Sequence, residues 1–159
     1  MATSSDSSGG ATSTDLFEVI AAGAATESPL WAEQLRADPE RVGVFGPLAP
    51  AMFALGIETI YEGYLVHYGR PRLFAPADDE AALLLGDYLY AHGLVRIAAT
   101  GDVDAVAALA ELISTCAHLR AEQADGDEEA WLAAVRRVGG VADGVTADRA
   151  VAAHAERVG

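Results

Sequence analysis

Apolar residues recur at helical spacing along most of this chain, and the pattern is clearest between residues 78 and 123. A first stripe repeats at intervals of four, three, four and three residues: Leu84, Tyr88, Ala91, Val95 and Ala98. This period predicts a helix that buries the stripe. Asp78 is suited to cap its N-terminus, and Gly101 to end it.

A second apolar helix is predicted directly afterwards, because Asp102 can cap a new helix immediately after Gly101. It carries two parallel rows, which are Val103, Val106, Ala110, Ile113 and Ala117, and Leu109, Leu112, Cys116 and Leu119. So many apolar rows predict that both helices are buried on more than one side. The short connection requires an antiparallel arrangement, so the two helices form a hairpin.

Two glycines in the first hairpin helix indicate close packing. Gly86 and Gly93 are seven residues apart and therefore share one helix face. A glycine inside a helix costs about 1 kcal/mol relative to alanine. We therefore expect this face to lie tightly against another backbone, either within the monomer or across the interface of a dimer.

The rest of the chain also predicts helices, separated by breaks rich in glycine and proline. Their ranges are Asp15 to about Ala25, Pro29 to about Ala37, about Pro50 to His67, a helix capped by Asp127 that ends at Gly139, and about Thr146 to Val158. Residues 1–13 are rich in Ser, Thr and Gly, and disorder is expected there. We expect a single all-α domain over residues 14–159, a helical bundle of six or seven helices.

The net charge of the chain limits the classes of molecule that it can bind. The formal net charge is -14, which repels phosphate backbones and anionic lipids and so argues against nucleic-acid and membrane-surface binding. A basic partner protein or a divalent cation remains compatible, and the acidity also serves solubility. The N-terminus lacks the apolar core of a signal peptide, and no apolar run is long enough for a membrane span. A cytoplasmic location is therefore expected.

The sequence offers no self-sufficient active site. It lacks a nucleophile elbow, a phosphate-binding glycine loop, a cysteine pair and a histidine-rich metal pattern, so we predict no catalytic residue, no metal ligand and no cofactor. The single cysteine, Cys116, lies in an apolar helical stretch and is expected to be a buried thiol. Glu58 and Glu62 are one helical turn apart, but neither belongs to the Glu-x-x-His pair of a di-iron site. They are expected to be exposed or interfacial.

A set of polar residues before and within the hairpin could still line a ligand pocket. Its members are Tyr61, Tyr64, His67, Arg70, Arg72, Asp87 and His92. The tyrosines have helical spacing, which is equally typical of core packing. The two arginines flank Pro71 in a loop, where they could clamp an anion or lie in solvent. Asp87, on an otherwise apolar helix, needs a partner such as Arg96, exposure to water or a bound ligand.

Residues 56 to 122 resemble the trans-type polyprenyl diphosphate synthases. The segments that carry the resemblance are LLLGDYLYAHGLVRIAATGD at 83–102, VDAVAALAELI at 103–113 and ETIYEGYLVHYGRPR at 58–72. Gly86-Asp87 and Gly101-Asp102 match two Gly-Asp points in the helical core of that family. The resemblance implies a prenyl-synthase-like core hairpin in an isoprenoid-synthase-like helical fold.

The resemblance does not extend to the family's catalytic motifs. Where its first aspartate-rich motif would follow His67, this chain has YGRPR at 68–72, and no second aspartate-rich motif follows residue 123. The chain is also about half the family's length. We therefore expect no prenyl transfer by this chain alone, because magnesium-diphosphate chemistry needs both acidic clusters.

Heteromeric enzymes of the family contain a small component that lacks both motifs and supports a catalytic subunit, as in bacterial heptaprenyl diphosphate synthase. The resemblance thus implies a non-catalytic helical partner or scaffold protein, an accessory subunit of a polyprenyl diphosphate synthase. Two alternatives remain open. One is a binding protein or minor enzyme for an isoprenoid or anion, which would use the Tyr/His/Arg set. The other is a self-associating structural module, such as a homodimer.

Overall fold

The computed structural model describes residues 8–159, with side chains described from residue 16 onwards. These residues form seven α-helices and no strand, which confirms the all-α bundle. The helices are α1 (Ser8–Glu27), α2 (Pro29–Ala32), α3 (Ala51–Tyr68), α4 (Asp79–Ala98), α5 (Val103–Ala121), α6 (Asp127–Arg137) and α7 (Gly144–Val158). A single 3-10 turn, Gly46–Leu48, leads into α3. None of the helices described is long and apolar enough to cross a bilayer.

The first two helices differ in length from their predictions. Helix α1 begins at Ser8 rather than Asp15, so residues 8–13 of the predicted disordered tail are helical, and residues 1–7 lie outside the described part. An established helix extends at little cost per residue, even through a weak sequence. Helix α2 is shorter than predicted because the segment after it pairs with residues 73–75. There, Arg36 N donates to Leu73 O at 2.9 Å and Ala75 N donates to Gln34 O at 2.7 Å.

Helix α3 is the centre of the molecule. Every residue from Gly56 to Val66 is buried, so this helix is surrounded by protein on all sides, as its apolar composition requires. Two hydrophobic clusters meet along it. One contains Phe45, Tyr61 and Trp131, and the other is built around Phe17 and Leu89 from α1 and α4.

The hairpin caps are confirmed in detail. The Asp78 side chain accepts a hydrogen bond from Ala81 N, and the Asp102 side chain accepts one from Ala105 N. Cys116 is buried on α5, as predicted. Both helices of the hairpin therefore begin where the sequence predicts.

The two hairpin glycines pack within the monomer. A Cβ atom placed on Gly93 would lie 2.4 Å from Ile60 Cγ1, and one placed on Gly86 would lie 2.4 Å from His67 Nε2. Both neighbours belong to α3. The predicted close packing is thus present, but the alternative of Gly86 and Gly93 as a dimer interface is wrong, because α3 already occupies their face.

The hairpin is buried on one side only, which corrects the sequence prediction. The buried residues of α4 face α3 and include Leu85, Leu89 and Ile97, while α5 buries Leu109, Leu112 and Cys116. Of the predicted α4 residues, Leu84, Ala91, Val95 and Ala98 lie opposite, while Tyr88 is half-buried and stacks on Trp31. Leu84 is 50% exposed and Val95 61% exposed, and Val103 at the start of α5 is 79% exposed. No other described helix covers these positions. We call Leu84, Ala91, Val95 and Ala98 the α4 stripe, and Val103, Ala107, Ala117 and Ala121 the α5 stripe.

Candidate functional site

Arg72 is a fully buried charge at the centre of the described part of the chain. Its side chain has no exposed surface, and it lies between two carboxylates that α3 presents one turn apart. Its Nη1 donates to Glu58 Oε1, and its Nε donates to Glu62 Oε1 at 3.0 Å. The aromatic rings of Phe17 and Tyr61 lie 4.9 and 5.1 Å from the guanidinium carbon. The guanidinium is therefore fully enclosed by protein groups.

Arg72, Glu58 and Glu62 form a group that we call the Arg72 cluster. Its two carboxylates also hold the loops on either side of α3. Glu58 Oε2 accepts hydrogen bonds from Val44 N at 2.9 Å and from Gly46 N at 2.7 Å. Glu62 Oε2 accepts from Arg72 N at 3.0 Å and from Leu73 N at 2.7 Å. The prediction that these glutamates are exposed or interfacial is wrong. A buried carboxylate requires this number of donors, which only the folded loops supply.

Arg72 cannot serve as the predicted anion clamp, because all its donors face internal acceptors. Burial by itself would lower the pKa of Arg72, but the two adjacent carboxylates outweigh it and the pKa is raised. The guanidinium is thus a permanently charged part of the core. Buried ion pairs of this kind act mainly by fixing one arrangement of the chain.

Arg70 lies apart from Arg72 despite their closeness in sequence. Its side chain is exposed, and its Nη2 donates to Glu156 O at 3.2 Å beside the end of α7. In return, Arg157 Nη1 donates to Arg70 O at 3.1 Å. These contacts fasten the loop after α3 to the last helix and do not form an anion clamp.

Asp87 pairs with His67 rather than with an arginine. His67 Nε2 lies 3.2 Å from Asp87 Oδ1, and the carboxylate itself is largely exposed. Burial lowers the pKa of His67, and the nearby carboxylate only partly offsets this effect. The pair is therefore a weak surface contact over the close crossing of α3 and α4.

His92 belongs to a different part of the surface. Its ring stacks on Tyr88 at 5.4 Å, and Tyr88 stacks on Trp31 at 5.8 Å. Burial lowers the pKa of His92, and Arg96 lowers it further. The seven predicted ligand residues thus do not line one pocket. Asp87 pairs with His67, and the Tyr61 ring packs on Arg72, while Arg70 and His92 lie elsewhere. The hydroxyls of Tyr61 and Tyr64 point to a further polar group.

That group joins α3 to the last three helices. The Tyr64 hydroxyl donates to Asp127 Oδ2 and accepts from Arg120 Nη2 at 2.8 Å, while Arg120 Nε donates to Asp127 Oδ2 at 2.7 Å. One turn away, the Tyr61 hydroxyl lies 2.9 Å from His154 Nδ1. The group lies beside a cleft of about 380 Å³ that Arg120, Asp127 and His154 help to line.

The sequence contained a signal for part of this group. His154 continues the buried face of α7 after Ala147 and Ala150, so helical spacing alone places it in the core. Asp127 was predicted as a helix cap, but the cap position is Gly126, and Asp127 is the first residue of α6. Nothing local relates these side chains to Tyr61 and Tyr64.

The buried histidine predicts that the protein loses stability below neutral pH. Burial lowers the pKa of His154 to about 4, from an ordinary value of 6.5. The unfolded chain therefore binds a proton that the folded chain does not, and stability is complete above pH 6.5 and declines as the pH falls towards 4. We expect about 1.8 kcal/mol of unfolding free energy to be lost from this group between pH 7 and pH 5.

Urea unfolding at several pH values measures this effect. His154→Gln should flatten the dependence between pH 7 and pH 5, while His118→Gln, at an exposed position on α5, should leave it unchanged. An unchanged slope in His154→Gln would show that the imidazole is protonated without cost in the fold.

The described side chains do not assemble a recognisable catalytic centre. Within residues 16–159, no three histidine, cysteine, aspartate or glutamate side chains come close enough to hold a metal ion. Burial raises the pKa of the Cys116 thiol to about 12, so it is a poor nucleophile. In comparisons with protein-family models, curated proteins and solved structures, none matches this chain.

Proposed function

We propose that this protein is a non-catalytic helical partner that associates with another protein through the α4 stripe and the neighbouring α5 stripe. The observation that carries the proposal is a mismatch between pattern and burial. With Tyr88, the α4 stripe has the regular apolar spacing of a buried helix face, yet the monomer half-buries Tyr88 and leaves the α4 stripe itself open to solvent. A second protein is the simplest way to bury it.

Several exposed apolar side chains are large enough for their burial to stabilise a complex. On α4, Leu83 and Leu84 project side by side near the N-terminal end, and Val95 projects about three turns later. Monomeric proteins rarely expose contiguous apolar patches of more than about a few hundred square ångströms, and such patches commonly mark an interaction site. The α5 stripe consists mostly of alanine, whose small side chain lets a partner helix approach closely.

Charge favours a partner of opposite sign over a second copy. The exposed residues next to the two stripes include Asp87, Asp102 and Asp104, and the chain as a whole carries -14. Two copies would bring like charges together, whereas a partner with basic residues around an apolar helix face would be attracted.

The partner that we propose first is the catalytic subunit of a trans-type polyprenyl diphosphate synthase. The proposal rests on the resemblance of residues 56–122 together with the missing aspartate-rich motifs. The Arg72 cluster is consistent with a non-catalytic role, because Glu58 and Glu62 both accept hydrogen bonds from Arg72 and from backbone N–H groups. These carboxylates have no free oxygen to offer a magnesium-diphosphate substrate.

A charge placed within the α4 stripe should disrupt the association without unfolding the protein. We expect Val95→Asp to reduce recovery of the protein with a tagged, co-expressed synthase from the same genome by at least about tenfold, because a charge is desolvated in the interface. Val145→Asp on α7 is a matched control, since Val145 is 66% exposed and Val95 61%. It should leave recovery unchanged.

The experiment also tests the two parts of the proposal separately. Both variants should unfold within about 0.5 kcal/mol of the natural chain, because neither valine is buried. If the natural chain neither co-purifies with such a synthase nor alters its activity or stability, the synthase is not the partner. If the synthase is retained equally by both variants, the α4 stripe is not the binding surface.

Self-association is the second candidate, and the same stripe favours it. A homodimer could bury two α4 stripes against each other around a two-fold axis. Light scattering separates the candidates, because a monomer has a mass of 16.5 kDa. A stable dimer that Val95→Asp dissociates would favour the homodimer over the hetero-association.

A further inference from the structure

The last helix, α7, is held to the rest of the molecule by few buried side chains. Of its 15 residues, only Ala147, Ala150 and His154 are buried. Each alanine buries a single methyl group, which contributes far less than a large apolar side chain. His154 is therefore the largest buried side chain by which α7 is attached to the bundle.

His154 lies among aromatic rings. Its ring centroid is 5.6 Å from that of Phe45, 5.9 Å from that of Tyr61 and 5.7 Å from that of Tyr64. Its Nδ1 lies 2.9 Å from the Tyr61 hydroxyl. Burial raises the pKa of Tyr61, so the hydroxyl keeps its proton and donates to Nδ1. The contact therefore requires a neutral imidazole that carries its proton on Nε2.

The charges around His154 offset one another. The titratable side chains that face it from other helices are Tyr61, Tyr64, Arg120 and Asp127, and Asp125 and Glu128 line the same cleft. Asp127 favours a protonated imidazole and Arg120 opposes it, and these two side chains are bound to each other. Burial has the largest effect and lowers the pKa of His154 to about 4. The imidazole is thus protonated far more readily in solvent than in its buried position.

The C-terminal end of α7 is held mainly by polar contacts. Arg157 Nη2 donates to Glu40 Oε1 at 2.7 Å, and Arg157 Nη1 donates to Arg70 O at 3.1 Å. Arg70 N donates in turn to Arg157 O at 2.9 Å. Arg157 holds the pKa of Glu40 below its ordinary value of 4.5, so Glu40 stays ionised between pH 7 and pH 5. In this range, His154 is the contact of α7 that responds to acid.

The chain can bend where α7 begins. Val141 N donates to Leu48 O at 2.9 Å, which fixes the segment after α6 to the bundle. Gly144, the first residue of α7, has φ +84°, and a Cβ atom placed there would meet nothing within 4 Å. A glycine in open space changes its backbone angles easily. Residues 141–144 can therefore serve as a hinge.

We propose that α7 is a pH-sensitive latch, which is closed at neutral pH and swings away about residues 141–144 when acid protonates His154. The other helices remain folded, because the hydrophobic cluster built around Ile57, Leu109 and Trp131 takes only two alanines from α7. Local opening of a weakly packed terminal element requires much less free energy than global unfolding. The latch is separate from the α4 stripe and does not depend on the proposed association.

The pH range of the latch follows from the two states of His154. The open form has the ordinary histidine pKa of 6.5, and the closed form has a pKa of about 4. Protonation therefore favours the open form as the pH falls below 6.5, and the effect increases down to about pH 4. Between pH 7 and pH 5, the equilibrium constant for opening should rise about twentyfold.

Native-state hydrogen exchange followed by mass spectrometry tests the latch. At pH 7, the opening constant for residues 144–158 should exceed that for residues 56–66 of α3 by at least about tenfold, because α7 opens without global unfolding. At pH 5, after correction for the slower chemical exchange, the α7 constant should be about twentyfold higher. Dilute urea should hardly change the α7 constant and should accelerate exchange in α3, since a local opening exposes little surface.

Variants test whether His154 is the group that responds to acid. His154→Gln should remove the pH dependence of α7 exchange, because a neutral amide replaces the imidazole, whereas His118→Gln at an exposed position on α5 should retain it. If His154→Gln does not fold, Glu40→Gln provides the second test, since the Glu40 side chain is 43% exposed. It should raise the α7 opening constant to a similar extent at pH 7 and pH 5 and leave their ratio unchanged.

Three results would overturn the proposal. Equal opening constants for α7 and α3 would show that α7 leaves only when the whole protein unfolds. An α7 constant that does not change between pH 7 and pH 5 would show that His154 is protonated in place. A pH dependence that persists in a folded His154→Gln variant, or disappears in Glu40→Gln, would assign the response to another group.

Discussion

Replacement of Arg72 by methionine is expected to lower the free energy of unfolding by about 3–5 kcal/mol, the usual cost of removing one partner from a buried ion pair. Methionine fills most of the same volume but leaves Glu58 and Glu62 with an uncompensated buried charge. The side chain also carries the hydrogen bond from Nη1 to Val42 O, at 2.8 Å. Urea or thermal unfolding followed by circular dichroism measures the loss.

The matched control for Arg72→Met is Arg70→Met, two residues earlier in the same loop. Arg70 is exposed, so its replacement should change stability by no more than about 0.5 kcal/mol. The triple variant Arg72→Met, Glu58→Gln and Glu62→Gln should regain part of the stability, since it no longer buries an unpaired charge. Equal stability of the two single variants would mean that the Arg72 cluster contributes nothing to the fold.

The second large effect is expected at the crossing of α3 and α4. Gly93→Ala should destabilise the protein by about 2–3 kcal/mol, because overpacking a close contact forces side chains and backbone to move. The new Cβ would meet Ile60 Cγ1 at 2.4 Å and the backbone atoms Ile60 N and Gly56 O at 3.1 and 3.2 Å. The backbone atoms cannot move aside without separating the two helices.

Gly23→Ala is a control whose stability should change in the opposite direction. Its new Cβ would approach Arg96 Nη2 at 2.8 Å, which is the far end of a flexible side chain that can swing away. The intrinsic preference of a helix for alanine then dominates, with a gain of up to about 1 kcal/mol. Thermal melts of the two variants should shift in opposite directions. A neutral Gly93→Ala would show that α3 and α4 are less closely packed than described.

The parts of the fold that the sequence predicts well are those decided by local chemistry. Asp78 and Asp102 were recognisable as caps because a cap depends on residues three positions away, and both hairpin helices begin as predicted. The close approach at Gly93 was also predictable, since a glycine inside an apolar helix lowers helix stability unless it permits close packing. Which helix it approaches depended on the tertiary fold.

The parts that could not be predicted depend on residues distant in sequence. Glu58 and Glu62 looked like surface carboxylates, because nothing within one helical turn neutralises them. Arg72 reaches them only after the chain reverses in the loop that follows α3. In the same way, the link from Tyr64 to Asp127 spans 63 residues, and no periodic pattern relates the two.

The α4 stripe is informative because prediction and structure disagree there. Helical spacing predicts burial of Leu84, Tyr88, Ala91, Val95 and Ala98. The monomer half-buries Tyr88 and leaves the other four exposed. Spacing alone cannot say whether a stripe is covered by its own chain or by another. This difference between pattern and burial is the physical basis for proposing a partner at α4.

The most direct test of the association is protection of a thiol placed in the α4 stripe. The native Cys116 is buried, and burial raises its pKa to about 12, so it contributes little background reaction with a maleimide. In Val95→Cys, saturating catalytic synthase should slow labelling at least about tenfold, because a residue within an interface core is removed from solvent. In Val145→Cys, the synthase should leave the labelling rate unchanged. Equal labelling of Val95→Cys with and without the synthase would contradict the proposed interface.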